Sequence, residues 1–421
     1  MADPTLVAGA GIAGLVIARD LARAGLPVEV IEAAERVGGQ LDAVEVGGVA
    51  VDAGAESFAT RSDEVGALAA ELGLAVAPPL GSPAWVVAAG GDAFPLPAAA
   101  VLGIPADPAA PDVVAAIGAA AAARAARDAR TSLPDPDRYA TLGDLVRERM
   151  GAVVLDRLVA PVVRGVYSVG PDALPLDAAS PGLRAALAAH GSLGAAVSAV
   201  RESSPAGSQV AAVVGGMHRL AAALSADAVA AGARLRLGAR VESVAPDGLV
   251  LAGGERLAGR VVVAAPGLAS APTRRRRIVV AIAAVDAPGL DAAPRGTGAL
   301  VAEAAAGITA RAFTHASAKW AWLGTALPPH RHLVRLSYDG MPEDPAATVL
   351  ADLRAITGAD IARLEDLALR PWLRTLVAEP APAGLLVAGE AASGTGLATI
   401  VPRARALARG LIERAPTGGS R

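Results

Sequence analysis

The sequence predicts an α/β fold with a βαβ unit at the N-terminus, a helical insertion, and a second domain built on a mixed sheet. Three observations support this prediction. The run TLVAGAGIAGLVIARDLARAGLPVEVIE, residues 5–32, reads as strand, glycine turn, helix and strand. Residues 110–200 are rich in helix formers, and residues 276–340 contain successive short runs of strand-forming residues.

Composition narrows the class of protein before any motif is considered. The 421 residues exceed what one hydrophobic core usually supports, and a content of 53% hydrophobic and 19% charged residues is that of a folded chain. A net charge of -3 gives no reason to expect a nucleic acid as partner. The chain has no cysteine and its five histidines are scattered, so we exclude thiolate catalysis and expect no metal site.

The distribution of apolar residues along the chain bears on where in the cell the protein is expected. The N-terminus lacks the basic segment of a signal peptide, and no run of about 18 apolar residues is present. We therefore expect a cytoplasmic protein without a transmembrane helix. The mean hydropathy of +0.45 is high for such a protein, so peripheral contact with the inner face of a membrane is compatible with the sequence.

The glycines of the N-terminal unit have the spacing of a dinucleotide-binding motif. Gly9 allows a tight turn, Gly11 lets backbone amides approach a pyrophosphate, and Gly14 lets helix and strand pack closely. The phosphates would lie at the helix N-terminus, and Glu32 ends the second strand where it could accept hydrogen bonds from a ribose. Because the motif lies within a complete βαβ unit, we predict a Rossmann-like dinucleotide site.

A second glycine pair follows Glu32 and is more than a nicotinamide site requires. The run EAAERVGGQL contains Arg36, Gly38 and Gly39, and GGVAVDAGAESF follows at residues 47–58. A glycine pair marks a close approach of the backbone, and Arg36 offers a cation; an ordinary turn with a solvated arginine is the alternative. These runs resemble the extended FAD fingerprint of the flavin amine oxidase superfamily. The resemblance implies FAD rather than NAD.

Two later runs extend the resemblance. GEAASGTGLATIV, residues 389–401, leads from a short apolar strand through glycines into a helix, whose N-terminus would stabilise negative charge on the flavin. Glu390 stands where the superfamily often has Asp. Val241, in a strand after GGMHRL, is implied to contact the adenine through its backbone.

The resemblance implies a Rossmann-like FAD domain of the GR2 type, assembled from three segments. The predicted boundaries are 1–82, 207–270 and 383–415 for the FAD-binding segments, 83–206 for a helical insertion facing the substrate or a membrane, 271–382 for an antiparallel-sheet substrate domain, and 416–421 for a disordered tail. The residues predicted to contact FAD are Gly9, Gly11, Ile12, Ala13, Gly14, Glu32, Ala33, Arg36, Gly38, Gly39, Gln40, Gly54, Ala55, Glu56, Ser57, Val241, Ala265, Gly389, Glu390, Gly396, Leu397 and Ala398.

Several runs narrow the resemblance further. AFPLPAAAVLGIP, GVYSVGPDALPL, GGMHRL and THASAKWAWLG occur in this order. Together they resemble the oxygen-dependent protoporphyrinogen and coproporphyrinogen oxidases, and most closely the actinobacterial type. The resemblance implies conversion of coproporphyrinogen III to coproporphyrin III in haem biosynthesis. The implied reaction removes six electrons in three hydride transfers to the flavin, with O2 as acceptor and hydrogen peroxide as product.

Four residues are candidates for contacting the porphyrinogen. Arg61 and Arg164 could pair with propionates, Lys319 could lie near the substrate or the flavin, and Tyr167 could line the slot. Lys319 is the only lysine of the chain, beside two tryptophans. Solvated surface positions are the alternative for the three cations, and core packing for Tyr167.

Several other functions are alternatives to this one. Protoporphyrinogen IX is the rival substrate, and an amine oxidase, a desaturase or a non-catalytic FAD-binding protein are more distant alternatives. The chain has just ten aromatic residues, which disfavours an amine oxidase with an aromatic pair beside the flavin. Transient contact with the next enzyme of the haem pathway is a further expectation.

Overall fold

The computed structural model describes residues 4–131, 135–167, 169–180, 182–202, 210–268, 275–303, 305–340, 343–375 and 382–415. The chain divides into two compact units. The first contains Met1–Pro78, Ser208–Arg277 and Trp372–Arg421, and the second contains Pro79–Gly207 and Ile278–Pro371. The predicted disordered tail, residues 416–421, lies outside the described residues.

The first unit is built on a five-stranded parallel sheet. Its strands, labelled in chain order, are β1 (Thr5–Ala8), β2 (Val28–Ile31), β3 (Arg234–Arg236), β4 (Arg260–Val263) and β5 (Leu386–Val387). Their spatial order is β3-β2-β1-β4-β5, and every neighbouring pair is parallel. The strand order therefore reverses beside β1. In such sheets, ligands bind at the carboxyl ends of the strands at this switch point.

Three helices of this unit are central to the site: α1 (Ile12–Arg23), α2 (His218–Ala230) and α3 (Leu397–Glu413). Helix α1 packs against both α2 and α3. It is buried along nearly its whole length because apolar residues occupy most of its positions. On the other face of the sheet, Leu6 and Ala8 of β1 pack against Leu249 and Leu251.

A buried arginine connects these helices. Arg19 of α1 is 1% exposed, and its guanidinium donates to Asp227 of α2 at 2.6 Å and to Glu71 at 2.8 Å. Arg405 of α3 donates to the same Glu71 carboxylate at 2.8 Å. A buried charge is tolerated only when it is paired, so this network constrains how the helices pack.

Shorter elements complete the first unit. They are the strands Ala43–Val46, Val49–Asp52, Phe58–Ala59, Val76–Ala77, Val210–Val213, Val241–Ala245, Gly248–Leu251 and Arg256–Ala258, and the helices Glu64–Glu71 and Glu390–Ser393.

The second unit contains a helical part with its own apolar core. Leu142, Leu145, Leu158 and Leu183 are each fully buried in this core. The helices are Pro111–Ile117, Ala119–Ala126, Leu142–Arg149, Ala152–Val154, Ala160–Tyr167, Leu176–Ala179, Leu183–His190 and Leu193–Glu202, with a π-helical turn at Leu155–Val159 and 3-10 turns at Arg127–Arg130, Pro136–Arg138 and Pro171–Ala173.

Most residues of a seven-stranded sheet also belong to the second unit. In spatial order its strands are Leu364–Thr375, Arg275–Asp286, Arg331–Tyr338, Ala312–His315, Gly298–Val301, Trp85–Val87 and Ala93–Pro95. Short helices Ala316–Lys319 and Ala321–Thr325, a 3-10 turn Pro288–Leu290, and helix Pro345–Thr357 accompany it, and a two-stranded ladder joins Ala100–Val101 to Ile104–Pro105.

The described strand pairs between residues 275 and 338 are antiparallel. Strand Gly298–Val301 also pairs in parallel with Trp85–Val87, so the sheet as a whole is mixed, in agreement with the predicted fold class. Strands Trp85–Val87 and Ala93–Pro95 come from residues predicted to belong to the helical insertion. Three-residue strands are too short to show a period of two, and they form because an existing sheet edge offers hydrogen-bond partners.

Within the described ranges, no helix is both long enough and apolar enough to cross a membrane.

Candidate functional site

The carboxyl end of the parallel sheet brings together small residues from distant parts of the chain. An ideal Cβ on Gly9 would lie 2.8 Å from the backbone nitrogen of Ala265, and the φ of Gly9 is +112°. An ideal Cβ on Gly389 would lie 3.6 Å from the Cβ of Ala13. Gly9, Ala13, Ala265 and Gly389 therefore meet at the switch point, where the predicted dinucleotide would bind.

The first turn of α1 fits a pyrophosphate. Gly11 is the N-cap, and the amides of Ile12 and Ala13 have no acceptor within the helix. Among the described residues, no heavy atom comes within 4 Å of an ideal Cβ on Gly11, so the approach to these amides is open. Gly14 is packed instead, with an ideal Cβ only 2.0 Å from the carbonyl oxygen of Gly9. An open Gly11 and a close-packed Gly14 are what phosphate binding at this turn requires.

Glu32 follows β2, and backbone amides hold its carboxylate. Oε2 accepts a hydrogen bond from the amide of Ala10 at 2.8 Å, and Oε1 accepts one from the amide of Ala34 at 2.9 Å. Each carboxylate oxygen keeps a second lone pair. Glu32 is therefore fixed beside the end of β1 and could still accept a hydrogen bond from a ribose hydroxyl. Ala33, the next residue, is exposed.

Arg36 holds the second glycine turn. Its guanidinium donates to the carbonyl oxygens of Val37 at 3.2 Å and Gly39 at 3.1 Å, and it pairs with Asp42 at 3.3 Å. These contacts give Arg36 a structural role at the turn. Direct contact with FAD stays a prediction.

The second glycine turn lies against the first. The amide of Gly38 donates to the carbonyl oxygen of Ala10 at 2.8 Å. Gly38 has a φ of +103°, and an ideal Cβ there would lie 2.4 Å from the carbonyl oxygen of Leu41. An ideal Cβ on Gly39 would lie 3.4 Å from the Cα of Gly11. The glycine pair is needed because the two loops approach each other more closely than side chains permit.

Residues 54–57 lie next to this turn. The amide of Ala55 donates to the carbonyl oxygen of Gln40 at 3.0 Å, and an ideal Cβ on Gly54 would lie 1.9 Å from the same oxygen. Residues 54–57 are half-buried, whereas residues 51–53 are buried. Part of this segment, including Glu56 and Ser57, is thus accessible.

The C-terminal run joins the same site. The side-chain amide of Gln40 donates to Glu390 Oε2 at 3.2 Å. Helix α3 begins at Leu397, after an exposed Gly396, and Leu397 and Ala398 are buried. The structure therefore gathers residues of the first and last predicted cofactor segments within one unit. Val241, 8% exposed, begins an antiparallel strand that packs on the sheet.

Comparison with known proteins decides the family. The family model for flavin-containing amine oxidoreductases matches residues 12–294. The chain belongs to this family. A coproporphyrinogen III oxidase of Mycobacterium bovis is 30% identical over 97% of both chains, which confirms the predicted resemblance to the porphyrinogen oxidases. Membership of this family makes a flavin the cofactor.

Comparison with solved structures concerns the fold. A protein of Exiguobacterium sp. 255-15, provisionally named protoporphyrinogen oxidase, is 22% identical and superimposes with a TM-score of 0.80 over 98% of this chain and 99% of its own. Cyclohexylamine oxidase of Brevibacterium oxydans IH-35A is 17% identical, with a TM-score of 0.64 over 98% and 100%. At these identities the likeness concerns the fold alone, and it confirms the predicted fold class.

The structure also reveals residues that the sequence analysis did not single out. Asp52 is buried and accepts hydrogen bonds from the start of α2, and Trp372 donates its indole N–H to the carbonyl oxygen of Ala53 at 2.8 Å. An aspartate before a glycine-containing segment is a signal that could have pointed to Asp52. Trp372 lies in the sequence RPWLRT, which carries no such signal.

The predicted substrate residues are divided between the units and already have protein partners. Arg61, in the first unit, donates to Thr399 Oγ1 at 2.8 Å. Arg164, in the second unit, forms an ion pair with Glu303. Neither contact precludes pairing with a propionate, and their substrate roles stay predictions.

Tyr167 and Lys319 also lie in the second unit. The hydroxyl of Tyr167 donates to the carbonyl oxygen of Ala179 at 2.7 Å. Lys319 Nζ lies 5.0 Å from the ring centroid of Trp320, and Trp320 stacks on Trp322 with ring centroids 4.9 Å apart. This is cation–π geometry, and it gives the only lysine of the chain a local partner.

Proposed function

We propose that this protein is an FAD-dependent oxidase that converts coproporphyrinogen III to coproporphyrin III, with O2 as electron acceptor, in haem biosynthesis. The observation that carries the proposal is the 30% identity to the mycobacterial coproporphyrinogen III oxidase, which extends over 97% of both chains. An alignment of that extent reaches well beyond residues 12–294, to which the match with the family model is confined.

The choice of FAD rests on the adenosine half of the site. FMN lacks the adenosine of FAD, so it would leave the carboxylate of Glu32 without a ribose hydroxyl to accept from. Gly11 leaves those amides open to a pyrophosphate, and Glu32 is held where a ribose hydroxyl would donate. These features support a dinucleotide flavin.

The residues of this chain would bind and orient the reactants. When bound, FAD supplies a hydride acceptor for three successive two-electron oxidations and is regenerated by O2 with formation of hydrogen peroxide. The N-terminus of α3 would lie near developing negative charge on the flavin and lower its energy. Arg61, Arg164 and Lys319 supply cations for propionates, each such pair contributing about 1.5–3 kcal/mol when sheltered.

Aerobic turnover of FAD-loaded protein with coproporphyrinogen III and protoporphyrinogen IX in parallel tests the proposal. Porphyrin fluorescence and hydrogen peroxide are measured together, with FAD-free protein as the control for autoxidation. We expect fluorescence and peroxide above that control and a clear preference for the substrate with four propionates. Preference for protoporphyrinogen IX would change the substrate, and no turnover of either by FAD-loaded protein would refute the enzymatic function.

Variants of the candidate cations refine this test. Arg164→Ala should raise KM for coproporphyrinogen III, whereas Arg23→Ala should not, because Arg23 pairs with Asp227 in the first unit, outside the predicted site. A cytoplasmic location, peripheral membrane contact and transient contact with the next enzyme of the pathway stay predictions.

A further inference from the structure

The segment from Val51 to Ser57 changes from buried to accessible in its middle. Residues 51–53 are buried and residues 54–57 are half-buried. All four of the accessible residues are predicted to contact FAD. The contacts of Asp52 and Ala53, the residues just before them, therefore bear on their conformation.

Asp52 is the acceptor for the first turn of α2. It is 7% exposed. Oδ2 accepts a hydrogen bond from the amide of Met217 at 2.7 Å, and Oδ1 accepts from the amide of His218 at 2.9 Å and lies 2.9 Å from His218 Nδ1. The two backbone amides and the ring nitrogen of His218 belong to one helix terminus, and these three contacts fix the end of strand Val49–Asp52.

Trp372 holds the next two residues. Its indole Nε1 donates to the carbonyl oxygen of Ala53 at 2.8 Å. An ideal Cβ on Gly54 would lie 3.3 Å from Trp372 Cζ2, so the indole packs along the backbone of these two residues. The hydrogen bond sets the orientation of the ring, and the ring limits movement of Gly54.

We propose that Asp52 and Trp372 are positioning residues that hold residues 54–57 in the conformation that binds FAD. The proposal rests on the proposed FAD-dependent function. Neither side chain is itself a predicted contact of FAD, and each acts through the backbone that it holds. If either is lost, residues 54–57 lose one of the contacts that hold them, and part of the binding energy of FAD is used to restore their conformation.

Titration of FAD-free protein with FAD tests the proposal without any porphyrinogen. Asp52→Asn keeps the size of the side chain but places amide hydrogens against the N–H donors of α2, and we expect Kd for FAD to rise about tenfold. Trp372→Phe keeps a ring and removes the N–H, and we expect a rise of roughly three- to tenfold. At saturating FAD, the visible absorption and circular dichroism of the bound flavin should shift in both variants.

Asp352→Asn is the matched control. Asp352 is 1% exposed and accepts hydrogen bonds from the amides of Thr309 at 3.0 Å and Ala310 at 2.8 Å, in the second unit. Like Asp52→Asn, this substitution removes hydrogen bonds between a buried carboxylate and two backbone amides. We expect a similar fall in Tm, a Kd for FAD within about twofold of wild type, and an unchanged flavin spectrum.

Wild-type Kd and wild-type flavin spectra in Asp52→Asn and Trp372→Phe would overturn the proposal, even if their Tm falls. If Asp52→Asn does not fold, Trp372→Phe decides the matter alone. Failure of the wild-type protein to bind FAD would instead refute the proposed function, so the two failures are distinguishable.

Discussion

The side chains of Gln40 and Glu390, 350 residues apart in the sequence, form a hydrogen bond of 3.2 Å from Nε2 to Oε2. Gln40 adjoins the second glycine turn, and Glu390 begins the short helix before α3. One contact therefore couples the first and last predicted segments of the flavin site. Glu390, longer by a methylene than the Asp usual in the superfamily, has this amide as a partner.

A double-mutant cycle should reveal this coupling. We expect Gln40→Ala and Glu390→Ala each to weaken FAD binding, with a coupling energy of about 1 kcal/mol between them, because an amide donating to a carboxylate is a charge-assisted hydrogen bond. FAD Kd values of the wild type, both single variants and the double variant give this energy. Strict additivity of the two effects would show that the contact does not contribute to binding.

Replacement by alanine should reduce stability at one glycine of the motif and FAD binding at another. Gly14→Ala places a Cβ 2.0 Å from a carbonyl oxygen, so the free energy of unfolding should fall by at least ~2 kcal/mol. Gly11→Ala meets open space at a φ of -71°, so the stability of the FAD-free protein should change by less than ~0.5 kcal/mol. The methyl group added in Gly11→Ala would lie where the pyrophosphate is predicted to bind. We therefore expect Kd for FAD to rise by roughly tenfold or more.

Urea unfolding and FAD titration of both glycine variants measure these effects. Gly66→Ala is the control, because Gly66 lies in helix Glu64–Glu71 with open space around it among the described residues. It should leave FAD binding unchanged. Unaltered FAD binding by Gly11→Ala would contradict the placement of the pyrophosphate at this turn.

Stability should decrease with acidification because His315, which contacts His332, is buried. His315 is 1% exposed, its Nε2 lies 3.0 Å from His332 Nδ1, and His332 Nε2 lies 3.1 Å from Asp291 Oδ1. Burial, together with the neighbouring His332, lowers the pKa of His315 to about 3, and burial also lowers the pKa of His332. The unfolded chain titrates near pH 6.5, so it binds more protons than the folded chain between about pH 6.5 and pH 3.

The stabilisation from a neutral His315 is fully present above about pH 6.5 and decreases as the pH falls towards 3, by at most ~1.4 kcal/mol per pH unit for one proton. Urea unfolding between pH 7.5 and 5 measures the slope. His315→Asn should flatten it, whereas replacement of the exposed His190 by Asn should not. Equal slopes in wild type and His315→Asn would contradict this assignment.

Replacement of Arg19 should weaken the packing of the helices around the flavin site. Burial by itself would raise the pKa of Asp227, but hydrogen bonds from Arg23 and Arg19 outweigh it, so the pKa lies below its ordinary value. Arg19→Met removes a buried cation while Arg23 and Arg405 still serve the carboxylates, and we expect a loss of about 2 kcal/mol in the free energy of unfolding. The matched Arg23→Met, at a half-exposed site, should lose at most ~1 kcal/mol. Urea unfolding of both variants at pH 7 measures the two losses in the free energy of unfolding. Equal losses would contradict this prediction.

The local parts of the site were readable from the sequence. The spacing of Gly9, Gly11 and Gly14 predicts the turn, the phosphate position and the flanking strand and helix. Each glycine is required by contacts with residues close to it in the sequence. Longer motifs predicted the family, which the comparison with the mycobacterial enzyme confirms. The short strands Trp85–Val87 and Ala93–Pro95 were placed wrongly, since runs of three residues carry no usable periodicity.

The sequence by itself determined the βαβ unit and the family, because these depend on periodicity, glycine spacing and motifs over short stretches of chain. Only the tertiary structure decided three contacts. Asp52 accepts hydrogen bonds from the start of α2, Trp372 packs along Ala53 and Gly54, and Gln40 donates to Glu390. These contacts join residues more than 150 positions apart. No local pattern encodes such pairs, because they form only when packing of the strands and helices brings distant segments together.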